Sequence, residues 1–193
     1  ELGFDWSDNG HYASALIYRL DLEDEIIFDP VSFRNVNLQR TRRDGLVLDL
    51  GRQVTENLSV GLNYAYLDAE VRSGNFAGNQ VPFVAETIAG AHLDYIVNGN
   101  WHMYVELQYI DDRVFSGDFA NALSRLEGYT VANAQLDYSR RNWTVSLRTN
   151  NLFDEEYSDS GAAVLDPATF AAVESFYPAP DRTVWLTVSY HLE

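Results

Sequence analysis

The chain has 193 residues, enough for one large domain or two small ones. Its formal net charge of −16 argues against nucleic acid as a partner, because nucleic-acid binding needs clustered Lys and Arg. The absence of Cys excludes a disulfide framework, a Cys zinc site and a thiol nucleophile.

The hydropathy of the chain leaves a membrane location open. Residues 1–5 have neither the basic nor the apolar region of a signal peptide. No stretch approaches the roughly 18 apolar residues of a membrane-spanning helix. A transmembrane β-strand, however, needs only about 10 residues of alternating character, so overall hydropathy stays near neutral in such proteins.

Alternating apolar and polar residues predict about nine strands. The clearest begins at Leu58, where Leu58, Val60 and Leu62 share one face and Ser59, Gly61 and Asn63 share the other. Another alternating stretch puts Leu16, Tyr18, Leu20 and Leu22 on an apolar face, opposite Arg19 and Asp21. The nine predicted strands cover residues 1–7, 11–22, 36–53, 58–71, 83–97, 101–109, 128–140, 143–150 and 182–192.

The connections between the predicted strands alternate in length. Short turns fall near residues 8, 56, 99 and 141, and long loops cover 23–35, 73–82, 112–127 and 154–180. An antiparallel meander with every long loop at one end is typical of outer-membrane barrels. In the last loop, Asp166 as a helix cap and Pro167 at the first helical position predict a short helix.

One apolar and one polar face per strand suits two architectures. A soluble sandwich buries the apolar face, whereas a membrane barrel gives that face to lipid and the polar face to a wet lumen. Aromatic residues favour the barrel. Trp101 and Trp143 each follow a short turn, and Tyr64, Tyr66 and Tyr109 lie towards the opposite strand ends, as in two interfacial girdles.

The segment after the penultimate predicted strand carries the most specific motif. It reads Asn150-Asn151-Leu152-Phe153-Asp154, followed by Tyr157, and Arg182 opens the final strand. This segment closely resembles the C-terminal signature of TonB-dependent outer-membrane receptors. Asp181 stands where the family usually has Gly, and Leu192-Glu193 replaces the usual terminal Phe. The family-motif residues are therefore Asn150, Asn151, Leu152, Phe153, Tyr157 and Arg182.

The resemblance implies an all-β fold, an antiparallel up-and-down meander that forms the C-terminal portion of a transmembrane β-barrel. Family barrels have about 22 strands and a plugged lumen. Residues 1–193 are expected to supply about nine of these strands, without the plug domain and without the segment that engages TonB.

No enzyme constellation occurs in the sequence, and no cofactor or metal site is predicted. His92 and His102 are expected to approach each other across a hairpin near Asp94 and Glu106. A metal or proton site there is conceivable, but polar residues lining a lumen explain this group better. The acidic run at residues 21–25 lacks the Gly and the spacing of a calcium loop. It is expected to be solvated, and whether loop carboxylates hold a divalent ion stays open.

Aromatic and Arg residues on the long loops are the candidates for ligand binding. Arg with aromatic neighbours suits an anionic aromatic iron chelate such as a catecholate complex. For each residue taken singly, packing between loops is an equally good explanation. The candidates are Phe28, Phe33, Arg113, Phe115, Phe119, Arg125, Tyr157, Phe170 and Tyr177.

The resemblance implies a receptor in the Gram-negative outer membrane that imports a scarce nutrient complex with energy supplied through TonB. A ferric siderophore is the favoured ligand, with cobalamin, haem or a glycan as other possibilities. The implied partners are outer-membrane lipid, the nutrient complex and the TonB complex. Two alternatives are a passive outer-membrane channel and a soluble β-sandwich binding module.

Overall fold

A computed structural model describes residues 1–192 as an all-β molecule, and its main feature is a single antiparallel sheet. The nine strands of this sheet lie in the order β1-β2-β3-β4-β5-β6-β9-β10-β13. They are β1 (Leu2–Asp8), β2 (His11–Asp29), β3 (Arg34–Thr55), β4 (Leu58–Val71), β5 (Thr87–Asn98), β6 (Trp101–Ile110), β9 (Tyr129–Arg140), β10 (Trp143–Asn150) and β13 (Thr183–Tyr190). The predicted up-and-down meander is confirmed.

Four short strands form two small sheets in the long connections. They are β7 (Arg113–Val114) with β8 (Arg125–Leu126), and β11 (Ser158–Leu165) with β12 (Ala172–Pro178). Among residues 1–192, no helix is long and apolar enough to cross a membrane.

All the short turns lie at one end of the nine-stranded sheet. Asn9 and Gly10 both adopt positive φ angles, of 44° and 79°, as a tight hairpin turn requires. Asn57 accepts a backbone hydrogen bond from Ile96, and Asn100 accepts one from Ser139, so neighbouring turns are joined laterally. The long connections therefore lie together at the opposite end, as the sequence predicts.

The connection between β2 and β3 is much shorter than the predicted loop at 23–35. Both strands continue through that region and turn only at residues 30–33. Cross-strand ion pairs support the extension, because Arg40 pairs with Glu23 at 2.8 Å and Arg43 pairs with Glu25 at 2.6 Å. The predicted loop over residues 23–35 is therefore wrong, although Asp21, Glu23 and Asp24 are exposed to solvent as expected.

The strand register separates the two faces of the sheet. Leu50 lies opposite Leu62, and Leu48 lies opposite Tyr64, so these residues share one apolar face, here called the outer face. Leu62 is 54% exposed on it. The opposite face, here called the inner face, carries the alternate residues, such as Asn63.

The face predicted for β2 needs correction. Ile17, not Tyr18, pairs with Leu46 on the outer face. Tyr18 lies on the inner face opposite Gly45, where an added Cβ would stand 2.2 Å from the tyrosine ring. The ring thus covers a residue without a side chain. Leu16 and Leu20 share the face of Tyr18, so their apolar character does not mark the outer face.

The buried core sits at the loop end of the inner face. Leu38, Ala69, Val71, Val81 and Phe119 form it. Val81 and Phe119 come from the long connections after β4 and β6. The loops therefore fold back over the sheet, and the sheet itself encloses little apolar volume.

The predicted helix after Pro167 is absent from the described residues, and the β11–β12 hairpin takes its place. Gly161 lies opposite Phe176, and Val164 lies opposite Val173 across this hairpin. Asp166 does cap the turn, because it accepts hydrogen bonds from the Ala168 amide at 2.8 Å and the Thr169 hydroxyl at 2.7 Å. Strand pairing on both sides leaves too few residues for a helix.

Candidate ligand-binding surface

The family-motif residue Asn151 organises the turn that follows β10. It adopts φ 51° and is almost fully buried. Its side-chain amide donates to the Glu155 carbonyl at 2.9 Å and accepts from the Glu155 amide at 2.8 Å. Asn133 accepts a hydrogen bond from the Asn151 backbone N–H at 2.9 Å. Asn151 therefore ties the start of the longest connection to β9.

Two further motif residues, Leu152 and Arg182, hold the ends of the longest connection. Asp154 accepts a hydrogen bond from the Arg182 backbone N–H at 2.8 Å and approaches the Arg182 guanidinium at 3.4 Å. Leu152 donates to the Ala132 carbonyl at 2.7 Å. Phe153 is largely exposed. These contacts join the end of β10 to the start of β13.

Tyr157 stacks on Tyr129, with ring centroids 4.2 Å apart. Burial, reinforced by the neighbouring Tyr129 and Asp159, raises the pKa of Tyr157 above its ordinary value of 10.0. The phenol therefore stays neutral at physiological pH, and its ring packs against Tyr129 at an interplanar angle of 35°. The sequence analysis missed Tyr129, because its partner lies 28 residues further along the chain.

Arg113 is a buried cation held by aromatic rings. Its guanidinium lies 5.0 Å from the Phe83 ring centroid and 5.8 Å from that of Tyr129. One of its amino groups donates to the Asp159 carbonyl. Nε is buried without a hydrogen-bond partner among the described residues. Arg113 thus joins three connections and is not available to solvent.

The connection after β6 also contacts the one after β4 through side-chain amides. Asn79 donates to the Phe119 carbonyl at 2.8 Å, and Asn121 accepts from the Gln80 amide at 2.8 Å. The Arg125 guanidinium donates hydrogen bonds to the side chains of both Asp112 and Gln80. The two connections therefore form one packed unit.

The β11–β12 hairpin packs against the same unit. Phe115 has no exposed surface and meets Phe176 edge-on at 5.2 Å. Ser116 makes an isolated parallel bridge with Ala162. Ser124 donates to Glu174 through both its amide, at 3.1 Å, and its hydroxyl, at 2.6 Å. Three of the long connections thus form one body, here called the outer rim.

The nine ligand candidates fall into three groups by exposure. Arg113, Phe115 and Phe119 are buried and pack the outer rim. Phe28 and Phe33 form an exposed edge-to-face pair at the β2–β3 tip, 5.6 Å apart. Phe170 and Tyr177 are exposed on the β11–β12 hairpin, while Arg125 and Tyr157 are partly exposed. The structure does not gather all nine residues at one place.

A cavity of about 570 Å³ lies between β8 and the β11–β12 hairpin. Arg125 and Tyr157 both line it, and Phe176 supplies an apolar wall. Four carboxylates also line it, from Glu127, Glu155, Glu156 and Glu174. The sequence analysis named the first two of these lining residues and missed the glutamates, which have no motif of their own.

The histidines of the inner face are not arranged as a metal site. His102 places Nε2 2.9 Å from Asp94 and Nδ1 3.3 Å from Asp137. His92 instead lies opposite Glu106 and stacks beside Tyr104 at 6.0 Å. Within residues 1–192, no group of three or more His, Asp or Glu is placed to hold a metal ion.

The fold and its two faces define the class of transmembrane β-barrel proteins. Residues 1–152 match the family described as TonB dependent receptor-like, beta-barrel. The chain therefore belongs to the TonB-dependent receptors, a family of outer-membrane transport receptors.

Comparison with individual proteins agrees with this family. The chain is 29% identical over 113 residues to the "Probable TonB-dependent siderophore receptor PiuA" of Acinetobacter baumannii, covering 50% of this chain and 15% of that protein. The ferric yersiniabactin uptake receptor FyuA from Yersinia pestis superposes with a TM-score of 0.81 at 18% identity, over 97% of this chain and 28% of FyuA. The copper transporter OprC superposes with a TM-score of 0.76 at 23% identity, over 97% of this chain and 30% of OprC. The chain thus spans under a third of each of these relatives.

Proposed function

We propose that residues 1–193 are the C-terminal portion of a receptor barrel that binds a nutrient complex at the outer membrane and imports it with energy supplied through TonB. The main support for this proposal is the family match over residues 1–152, together with the outer rim at one end of the strands. Receptors of this class gate passage and make or break no covalent bond, so the protein is not expected to be an enzyme.

A ferric siderophore is the proposed cargo. PiuA is named as a probable siderophore receptor and FyuA as a ferric yersiniabactin uptake receptor. The cavity lined by Arg125 and Tyr157 offers one cation and one aromatic ring to a chelate, while its four glutamates favour a chelate without net negative charge. The relative OprC carries copper, so the family name alone does not select the cargo. Membership of a receptor family disfavours both the passive channel and the soluble β-sandwich.

The test uses a strain whose only iron receptor is the protein carrying this chain. Radioactive iron is supplied as a ferric catecholate or a ferric hydroxamate, and radioactive copper is supplied separately as a copper chelate. We expect uptake of one ferric chelate that requires TonB, with affinity about tenfold weaker in Arg125→Ala or Tyr157→Ala, equivalent to about 1.4 kcal/mol.

Arg141→Ala is the matched control, because Arg141 lies in a short turn at the opposite end of the strands. Its uptake is expected to equal the wild type. Iron uptake that continues without TonB contradicts active transport, and uptake of the copper chelate alone contradicts the siderophore assignment.

A further inference from the structure

Two of the short turns contain the same reactive sequence, at Asn9-Gly10 and at Asn98-Gly99. Asparagine is a thermolabile residue, because the backbone nitrogen that follows it can attack its side-chain amide carbon. Glycine in the second position leaves this nitrogen unshielded, since it carries no Cβ. The two turns share this chemistry, so their structures decide which of them reacts faster.

The first turn holds its asparagine and glycine rigidly. Asn9 and Gly10 adopt φ angles of 44° and 79°, and the Gly10 carbonyl accepts a hydrogen bond from the Gln53 amide at 2.8 Å. A Cβ on Gly10 would stand 3.0 Å from the Gln53 Cβ, so this side chain packs against the glycine. Strand pairing is regular up to Asp8 opposite His11. Ring closure at Asn9 would require a backbone rotation that these contacts oppose.

The second turn is less constrained. The strand register shifts between Ile96 and Asn98, so regular pairing is interrupted just before the asparagine. Nothing lies within 4 Å of a Cβ built on Gly99, and its N–H donates to no partner in residues 1–192. Asn98, Gly99 and Asn100 are all exposed, so water and hydroxide reach the Gly99 nitrogen.

One hydrogen bond in the second turn favours attack on the asparagine. Asn98 Oδ1 accepts a hydrogen bond from the Asn100 N–H at 3.0 Å, which places the side-chain carbonyl beside the Gly99 peptide. When a nitrogen adds to Cγ, negative charge develops on Oδ1, and a backbone N–H already directed at this oxygen stabilises it. In the described part of the chain, the Asn9 side chain has no such donor.

We propose that Asn98 is a site of spontaneous modification by deamidation, with water as the reactant. Base removes the Gly99 N–H proton, the nitrogen forms a bond to Asn98 Cγ, and the side-chain nitrogen takes up a proton and leaves as ammonia. Water then opens the cyclic imide. Cleavage of the new Cγ–N bond gives aspartate, whereas cleavage of the original peptide bond gives isoaspartate. Water is consumed and ammonia released, with no oxidation or reduction.

The modification changes the short-turn end of the sheet. It adds a negative charge at position 98, and the isoaspartate form also adds a methylene group to the main chain. Asn100 accepts a hydrogen bond from the Ser139 amide, and Asn57 accepts one from the Ile96 amide. These two bonds join the turn to its neighbours, so the modification weakens its lateral attachment. The proposal is independent of the transported cargo.

The test is peptide mapping by mass spectrometry of the folded protein that carries this chain, held in detergent in mildly alkaline buffer. We expect Asn98 to be converted about tenfold faster than Asn9, with both aspartate and isoaspartate as products. Gly99→Ala should slow conversion of Asn98 about tenfold, because the added methyl group shields the attacking nitrogen. The rate at Asn9 serves as the internal control and should not change in this variant.

A second arm separates the effect of the fold from that of the sequence. In concentrated urea the two asparagines should react at similar rates, because each is followed by glycine. Equal rates at Asn9 and Asn98 in the folded protein would overturn the proposal. So would an unchanged rate in Gly99→Ala, or a tenfold difference that persists in urea and therefore does not come from the turn.

Discussion

Individual residues at the loop end of the sheet act through backbone geometry as much as through side-chain chemistry. Asn151 satisfies both backbone groups of Glu155 from a left-handed conformation that Asn tolerates better than most residues. Gly128 permits the connection after β8 to pass close to the end of β6. A Cβ there would stand 2.7 Å from the Ile110 carbonyl oxygen and 2.8 Å from the Asp112 nitrogen.

Gly128→Ala should therefore destabilise the folded protein by about 1–3 kcal/mol, because backbone atoms have no rotamer by which to move away. Gly99→Ala is the control, since nothing lies within 4 Å of a Cβ at Gly99. Urea unfolding of the reconstituted protein measures both variants. Equal midpoints for the two would contradict the close approach at Gly128.

Asp166 makes the hairpin tip sensitive to acid. Hydrogen bonds from the Ala168 amide, and next from the Thr169 hydroxyl, hold the pKa of Asp166 below its ordinary value of 3.8. A carboxyl group with a lowered pKa stabilises the fold above its ordinary pKa, and that contribution is lost as pH falls through the lowered value.

The Ala168 amide proton should accordingly titrate with an inflection below pH 3.8 by NMR, and Asp166→Asn should remove the inflection. An inflection at or above the ordinary value would mean that the carboxylate does not hold this turn.

At the scale of elements, local pattern predicted most of the architecture. Period-two alternation and turn residues predicted the nine strands, and they predicted which end carries the long loops. Local sequence pattern gave wrong predictions where a residue's structural partners are distant in sequence. Residues 23–29 were predicted as part of a loop, because the arginine partners of Glu23 and Glu25 lie on another strand. The β11–β12 hairpin was mistaken for a helix because a good N-cap also suits a turn.

Contacts between loops also depend on residues that are distant in sequence. The sequence therefore predicted which loop residues could bind a ligand, but not which of them are buried by packing and which are exposed. Phe115 and Phe170 are both loop phenylalanines, yet their exposures are 0% and 76%. Nothing in the residues next to either one reports this difference.

Phe115→Ala should loosen the β11–β12 hairpin from the outer rim at a cost of about 3–5 kcal/mol, because it removes a fully buried ring. Phe170→Ala should change stability by less than about 0.5 kcal/mol, as expected for an exposed site. Limited proteolysis between β12 and β13 reports hairpin release, and similar cleavage rates for the two variants would contradict the packing described.

At the scale of the whole molecule, one sheet separates two environments. Its outer face carries paired rings near the short turns, Trp101 with Tyr138 at 4.7 Å and Trp143 with Tyr190 at 4.8 Å. Its inner face carries hydrogen-bonded polar groups such as Glu106, which accepts from Asn133 at 2.8 Å. Rings near a water boundary, an apolar band and a polar interior are what a barrel wall requires.

We expect this sheet to cross the membrane with its outer face in lipid. Fluorophores placed singly at Leu62 and Asn63 in the folded, reconstituted protein test it most directly, because these neighbours lie on opposite faces near mid-strand. Quenchers confined to the lipid chains should quench the label at Leu62 and leave the label at Asn63 unaffected. Quenching at Asn63 alone, or equal quenching at both positions, would contradict this orientation of the sheet.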